Sequence, residues 1–112
     1  MPSTPTNYPW KTPRAFPRFL VDVRLIIRSK EIFNGRTKDV GEGGLGATIP
    51  GTIDKSEIVE LEFQLPATDE PIRLKAEVRY NQGFQYGFRF LHPTEQQREL
   101  IRNATRDLPP AP

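Results

Sequence analysis

The sequence predicts an all-β domain, a six-stranded antiparallel β-barrel followed by a C-terminal α-helix. Three observations lead to this prediction. Apolar and polar residues alternate with a period of two over most of the chain, which indicates strands with one buried and one wet face. Clusters of Gly, Pro and Asn separate the alternating stretches. The last stretch repeats its apolar residues about every 3.6 positions, as an amphipathic helix that plugs or flanks a small barrel would.

The chain begins with a proline-rich arm. Proline fixes φ and removes a backbone donor, so this stretch is expected to be extended rather than helical or part of the sheet. The end of the chain is also rich in proline. We therefore expect three segments: an arm at residues 1–18, the barrel with its helix at 19–108, and a disordered tail at 109–112.

Six alternating stretches are predicted to be the strands of the barrel, at residues 20–28, 32–39, 45–49, 57–65, 72–80 and 84–91. In the last two strands the alternation places Tyr80 and Phe84 on the apolar, inward face. The dipeptide Asn34-Gly35 is typical of a type I′ hairpin turn. A further turn is indicated at residues 81–83, between the fifth and sixth strands.

The helix is predicted to begin at Thr94. This residue can cap the helix, and Gln97 lies three positions later, as a capping box requires. Pro109 is expected to end the helix. Its apolar stripe is Leu100, Ile101, Ala104 and Leu108.

Length and composition narrow the possible functions. The 112 residues suit one domain, and the absence of cysteine excludes disulfides, thiolate metal sites and a cysteine nucleophile. His92 is the single histidine and has no evident partner, so neither an enzyme nor a metal site is expected. No stretch approaches the ~20 apolar residues of a membrane span, and no secretory signal is recognisable. We expect a cytoplasmic protein that does not insert into membranes.

Two short motifs contain the residue types that bind a guanine nucleotide. Arg14 and Arg18 have the spacing R-x-x-x-R, and Asp39 follows 21 residues after Arg18 in the segment Asp39-Val40-Gly41-Glu42-Gly43-Gly44. Arginine offers a planar fork of donors to phosphate or to guanine O6 and N7, and it can stack on a purine. An ionised carboxylate accepts from the guanine N1–H and N2–H edge. The glycines allow backbone amides to approach a ligand closely.

These motifs, the strand count and the terminal helix resemble the PilZ family, over about residues 13–108. The family pattern is R-x-x-x-R, a strand hairpin, and then [D/N]-x-S-x-x-G. The resemblance implies a bacterial receptor for cyclic di-GMP that carries out no catalysis, needs no cofactor, and relays the messenger to an unidentified protein partner when the arm closes over the ligand. Carried onto this sequence, the implied ligand-binding residues are Arg14, Arg18, Asp39, Gly41 and Gly44, with possible secondary contacts from Glu42, Gly43 and Arg89.

The sequence departs from the family pattern at Gly41, which stands where the family has serine. The lost hydroxyl removes a hydrogen bond of about 0.5–1.5 kcal/mol, or up to about 3 kcal/mol if its partner is charged, and affinity falls about tenfold for every 1.4 kcal/mol. An alternative is therefore a degenerate PilZ-like module that binds a protein but no nucleotide. A small nucleic-acid-binding barrel is a third hypothesis. It is disfavoured because the charge is nearly balanced, at +2, and the aromatic residues mostly lie on core faces.

Overall fold

Six antiparallel strands close into a barrel in the computed structural model, which describes residues 16–112. Around the barrel the strands follow the order β3-β2-β5-β6-β7-β4, and β4 pairs back with β3 to complete the circle. The short β1 is a seventh strand that pairs with β3, and α1 follows the barrel. The predicted fold class is confirmed. The elements are β1 (Arg18–Leu20), β2 (Arg24–Arg28), β3 (Ile32–Gly41), β4 (Gly44–Thr48), β5 (Ile58–Phe63), β6 (Ile72–Gln82), β7 (Gln85–Leu91) and α1 (Glu95–Thr105).

The first predicted strand, at residues 20–28, is in fact two strands, β1 and β2, which lie one after the other along the same side of β3. Buried Thr37 causes the interruption. Its hydroxyl donates to the carbonyl of Val21 and accepts from the amide of Val23 at 2.9 Å, replacing ladder bonds by side-chain bonds. Alternation along the chain does not reveal such a break, because Val21 and Val23 keep the apolar pattern.

The inward faces of the barrel strands form one apolar core. Leu25, Ile27, Leu45 and Leu61 are completely buried there, and Ile101 of α1 adds a further buried side chain. Burying an aliphatic side chain of this size contributes about 1.5–3 kcal/mol. The helix is therefore held to the barrel by the same core that holds the strands together.

The capping box predicted for the helix is confirmed. The Thr94 hydroxyl accepts from the Gln97 amide at 3.0 Å, and the Gln97 side chain accepts from the Thr94 amide at 3.0 Å. The helix ends earlier than predicted, at Thr105, and the Leu108 amide donates to the Thr105 carbonyl in the turn that follows. Leu108 still packs against the core from this turn. Among residues 16–112 no helix could span a bilayer.

The segment predicted to be a disordered tail pairs with β1, so this prediction was wrong for residues 109–111. The Leu20 amide donates to the Pro109 carbonyl at 2.8 Å, and the Ala111 amide donates to the Arg18 carbonyl at 2.9 Å. Pro110 lies directly opposite Phe19, at the position whose missing N–H would point away from β1. Proline is therefore compatible with this edge pairing, although its abundance indicated disorder.

The dipeptide Asn34-Gly35 does not form the first hairpin turn. Both residues lie within β3, and the turn is at residues 29–31. A Cβ at Gly35 would lie 2.6 Å from the carbonyl oxygen of Thr48 and 3.1 Å from the Ile49 side chain. This glycine permits a close approach inside the barrel, which is a second common reason for glycine in a strand.

Tyr80 and Phe84 do not point inward as predicted. Phe84 belongs to the two-residue turn between β6 and β7, together with Gly83 at φ +63°, and 65% of Phe84 is exposed. In β6 the register shifts between Val78 and Tyr80. This bulge moves Tyr80 onto the outer surface, where its ring covers Gly87.

Candidate ligand site

The structure brings together Arg18 and Asp39, the two residues that lie 21 positions apart in the sequence. β1 runs antiparallel to the end of β3, with Arg18 opposite Gly41 and Leu20 opposite Asp39. The Arg18 Nη1 atom donates to Asp39 Oδ1 at 2.8 Å. Only 16% of the Arg18 side chain and 13% of the Asp39 side chain are exposed. The ion pair is thus a partly desolvated, directional contact between the two motifs.

The Asp39 carboxylate lies flat over Gly46 of β4. Its Oδ1 atom also accepts from the Gly46 amide at 3.2 Å, whereas Oδ2 accepts no hydrogen bond from residues 16–112. A Cβ at Gly46 would lie 3.3 Å from both carboxylate oxygens. Gly46 therefore gives the carboxylate its place on the barrel surface. It follows the motif segment by two residues in the sequence, but it was not predicted as a site residue.

Gly44 and Arg89 extend the same face of the barrel. They are opposite each other in β4 and β7. A Cβ at Gly44 would overlap the Phe88 carbonyl oxygen and would lie 3.0 Å from Arg18 Nη2. The Arg89 side chain is 52% exposed and donates to Glu77 Oε1 at 3.0 Å. Gly44 thus lies beside the partly buried Arg18 guanidinium, whereas the Arg89 guanidinium is directed to Glu77 of β6.

Gly41, which replaces the motif serine, is covered by the chain that enters β1. A Cβ at this position would overlap the Pro17 carbonyl oxygen and would lie 3.0 Å from Arg18 Cδ. Any side chain here would displace backbone, which cannot move without disturbing β1. In this arrangement Gly41 is required for the close packing of β1 on β3, a reason for glycine that the motif comparison does not reveal.

Glu42 faces α1 rather than the pair formed by Arg18 and Asp39. Arg102 donates to both of its carboxylate oxygens, each at 3.1 Å, and Arg98 lies 3.5 Å away. The hydrogen bonds from Arg102, aided by the charge of both arginines, lower the pKa of Glu42 below its ordinary value of 4.5. Glu42 thus ties the β3–β4 turn to the helix.

Phe16 covers the other side of the same turn. The Arg98 guanidinium lies 5.0 Å from the centre of the Phe16 ring, and a Cβ at Gly43 would lie 3.2 Å from that ring. Phe16 is thus packed between Gly43 and α1. Gly43 and Glu42, the predicted secondary contacts of the turn, therefore serve local packing in this structure.

Replacing Glu42 by glutamine is expected to lower stability by about 1 kcal/mol at neutral pH, because the arginines lose their charged partner. The pKa of Glu42 is lower in the folded chain than in the unfolded chain. Its stabilising effect is therefore complete above about pH 4.5 and is lost as the pH falls through the folded-state value. Thermal unfolding of both proteins between pH 3 and 7 should give melting temperatures that converge towards acid pH. The matched control is Glu95→Gln, since Glu95 lies 3.7 Å from the same arginines but is 73% exposed. An equal effect of both substitutions at all pH values would contradict this account.

One row of four residues crosses four neighbouring strands beside the ion pair. Asp39 in β3 is opposite Gly46 in β4, Gly46 is opposite Gly87 in β7, and Gly87 is opposite Tyr80 in β6. The carboxylate lies over the first glycine and the phenol ring over the second. Alternation in the sequence predicted Tyr80 to face inward because it does not reveal the register shift in β6. Glycines at the outward positions of β4 and β7 were the available signal.

Of the predicted site residues, Arg14 lies outside the described residues. The structure groups Arg18, Asp39, Gly44 and Arg89 on one face and directs Glu42 elsewhere. A separate groove of about 1000 Å³ lies beside β2 and β3, lined by exposed Leu20 and Phe84 and by the cations Arg36 and Lys38.

Comparisons with known proteins agree with the architecture. Residues 12–107 match the family model of the PilZ domain. Among solved structures, the fold is similar to the PilZ domain of CeSA from a cellulose-synthesizing bacterium, with a TM-score of 0.62 at 19% identity, covering 78% of this chain and 93% of that one. It is also similar to the PilZ domain with c-di-GMP of YcgR from Escherichia coli, with a TM-score of 0.69 at 13% identity, covering 85% and 90%. A third similar structure is the inhibitor of motility MotI/DgrA of Bacillus subtilis, with a TM-score of 0.69 at 16% identity. That match covers 85% of this chain but only 51% of the Bacillus protein. No curated protein matches the sequence significantly.

Proposed function

The chain belongs to the PilZ domain family, and from this membership we propose that it is a receptor for cyclic di-GMP that leaves the nucleotide chemically unchanged. The observation that carries the proposal is the ion pair between Arg18 and Asp39, which joins the two family motifs. The pair lies on the outer surface of the barrel beside Gly44 and Gly46 of β4. A similar fold, the PilZ domain of YcgR, is described with this nucleotide. No cofactor and no catalytic residue are part of the proposal.

Each residue of the site has a role that suits its chemistry. Arg18 and Arg14 pair with phosphate or with the Hoogsteen edge of guanine through their donor forks. Asp39 accepts from N1–H and N2–H of guanine through Oδ2, which receives no hydrogen bond from residues 16–112. Gly44 keeps the backbone close to the ligand, and Gly41 acts through the close packing of β1 that positions Arg18. Arg89 supplies a second, more exposed cation.

The proposed output is closure of the arm at residues 1–18. Phe16, Pro17 and Arg18 already contact the barrel at Gly43, Gly41 and Asp39, so the arm has a defined place to dock. A nucleotide that binds Arg14 and Arg18 would favour the docked arm by its differential affinity for that state. The resulting surface would recruit a protein partner in the cytoplasm.

Isothermal titration calorimetry of the purified chain with cyclic di-GMP tests the receptor proposal. We expect saturable binding with a micromolar or lower Kd, and at least tenfold weaker binding of cyclic di-AMP, since adenine lacks the donor edge that Asp39 would read. GTP has the guanine edge but only one base and a terminal triphosphate in place of the cyclic diester, so its binding is also expected to be at least tenfold weaker. The absence of heat, together with an unchanged melting temperature in excess nucleotide, would overturn it.

A second candidate is a PilZ-type module that binds a protein and no nucleotide. Gly41 favours it, because the family's serine hydroxyl is missing. The groove with exposed Leu20 and Phe84 also favours it, because apolar residues beside Lys38 suit an acidic protein surface, while Arg36 in the same groove is paired with Asp22 at 2.6 Å. The absence of heat in the titration with cyclic di-GMP would support this second candidate over the receptor proposal.

A further inference from the structure

We propose that the segment at residues 109–111 is a positioning element of the ligand site, which holds the main chain of Arg18 and is itself stabilised when nucleotide binds. The inference rests on the proposed cyclic di-GMP function. The segment lies beyond residues 12–107, which match the family model, so the family motifs assign it no role. Its Ala111 amide donates to the Arg18 carbonyl at 2.9 Å. The main chain of the motif arginine is thus bound by a segment that follows the helix.

Arg18 is held along both edges of β1. On one edge β1 pairs with β3, and the Arg18 side chain donates to Asp39 Oδ1 at 2.8 Å. On the other edge the Leu20 amide donates to the Pro109 carbonyl at 2.8 Å, which adds a second hydrogen bond to that from Ala111. The place of the guanidinium beside the carboxylate therefore depends on the pairing along both edges of this short strand.

The barrel core gives β1 little support of its own. The three residues of β1 are half-buried or exposed, whereas each of the strands β2 to β7 contains buried residues. A cavity of about 290 Å³ separates β1 from the end of α1, lined by Phe19 on one side and by Arg102 and Thr105 on the other. Segments with few buried contacts open at a low cost in free energy. The hydrogen bonds from residues 109–111 are therefore a substantial part of what keeps β1 docked.

Nucleotide binding and docking of residues 109–111 should favour each other. A nucleotide bound by the Arg18 guanidinium favours the docked β1, and a docked β1 offers its outer edge to the segment. Because such coupling is reciprocal, the nucleotide should stabilise the segment, and loosening the segment should weaken nucleotide binding. Loss of one backbone hydrogen bond changes an equilibrium constant by about two- to tenfold.

Substitutions at neighbouring positions of the segment test this role. Ala111→Pro removes the N–H that donates to the Arg18 carbonyl, whereas Pro110→Ala changes a residue whose N–H would point away from β1. Calorimetric titration with cyclic di-GMP should give a Kd for Ala111→Pro about three- to tenfold above the wild-type value. Pro110→Ala should stay within about twofold of the wild type, and so should Ala111→Gly, which keeps the N–H.

Hydrogen exchange of the wild type, measured residue by residue, separates positioning from general stabilisation. Excess cyclic di-GMP should slow exchange of the Leu20 and Ala111 amides by a larger factor than exchange of the Ser29 amide. Ser29 donates within the turn between β2 and β3, at 2.9 Å, and serves as the reference. Equal slowing of all three amides would mean that the nucleotide stabilises the fold only as a whole, and would overturn the role.

The outcomes distinguish this inference from the proposed function. If the wild type binds, Arg18→Ala loses binding and Ala111→Pro binds like the wild type, the receptor proposal stands and the positioning role is wrong. If the wild type gives no heat, both are wrong. Tighter binding by Ala111→Pro would also overturn the role, because the segment would then oppose nucleotide binding. Melting temperatures check that each variant folds, and if Ala111→Pro unfolds, the exchange rates of the wild type decide.

Discussion

Replacing Arg18 by alanine is expected to weaken cyclic di-GMP binding about a hundredfold. A hydrogen bond to a charged group contributes about 1.5–3 kcal/mol, and every 1.4 kcal/mol changes affinity tenfold. The substitution also leaves Asp39, only 13% exposed, without the guanidinium that holds it at 2.8 Å. Arg18→Lys should lose about tenfold, because lysine keeps the charge but not the planar fork. Calorimetric titration of both variants measures these losses.

The control for Arg18 is an arginine in an equivalent pair elsewhere on the barrel. Arg28 donates to Glu62 at 2.8 Å, the same distance as in the Arg18 pair, but it lies on β2 away from the glycine motif. Arg28→Ala should therefore bind the nucleotide like the wild type. If Arg18→Ala and Arg28→Ala both leave the affinity unchanged, Arg18 is a structural residue and the site lies elsewhere.

Restoring the family's serine at position 41 is expected to destabilise the protein rather than improve binding. The Cβ of Gly41→Ser would overlap the Pro17 carbonyl oxygen, and the Arg18 side chain would lie within 3.0 Å. Overpacking of this kind lowers the free energy of unfolding by about 1–3 kcal/mol. We expect a loss near 3 kcal/mol, because the added side chain meets backbone at Pro17 rather than a flexible side chain. We expect a lower midpoint of denaturant unfolding and no gain in affinity for cyclic di-GMP, although the new hydroxyl could in principle bond the ligand.

Gly43→Ser is the matched control because it adds the same side chain two residues away. Its Cβ would lie 3.2 Å from the Phe16 ring, a flexible side chain rather than backbone. A loss of stability well below that of Gly41→Ser is therefore expected. Tighter nucleotide binding by Gly41→Ser at unchanged stability would mean that Pro17 does not occupy its place beside β3 in solution, and that the missing hydroxyl alone weakens the site.

The barrel and the pairing of the two motifs were within reach of sequence reasoning because they depend on repeated or local patterns. Alternation revealed the six barrel strands, since each strand buries one face. The capping box at Thr94 and Gln97 depends on residues three apart and was equally readable. Arg18 and Asp39 were singled out through motif order, and the hairpin between them places both on one face.

The features that sequence reasoning missed depend on interactions between distant segments. A buried hydroxyl at Thr37 interrupts the first strand, and a register shift in β6 reverses the face of Tyr80. Neither changes the apolar pattern of its own strand. The role of Gly41 depends on where Pro17 lies, and a sequence contains no sign of that contact. Alternation and capping patterns predicted the strands and the helix, but they did not predict the break between β1 and β2 or the register shift in β6. Both of these irregularities lie beside the candidate site.

The pairing of residues 109–111 with β1 also protects the protein against self-association. An exposed strand edge offers amide donors on which another chain can add a strand and begin an aggregate. In this segment the residues that alternate away from β1 are Pro110 and Pro112, which have no N–H to offer. Arg18 therefore lies on β1, and the segment that pairs with the outer side of β1 offers no N–H from Pro110 or Pro112. The prolines, which in the sequence indicated only disorder, therefore disfavour growth of the sheet from this side by removing its outward amide donors.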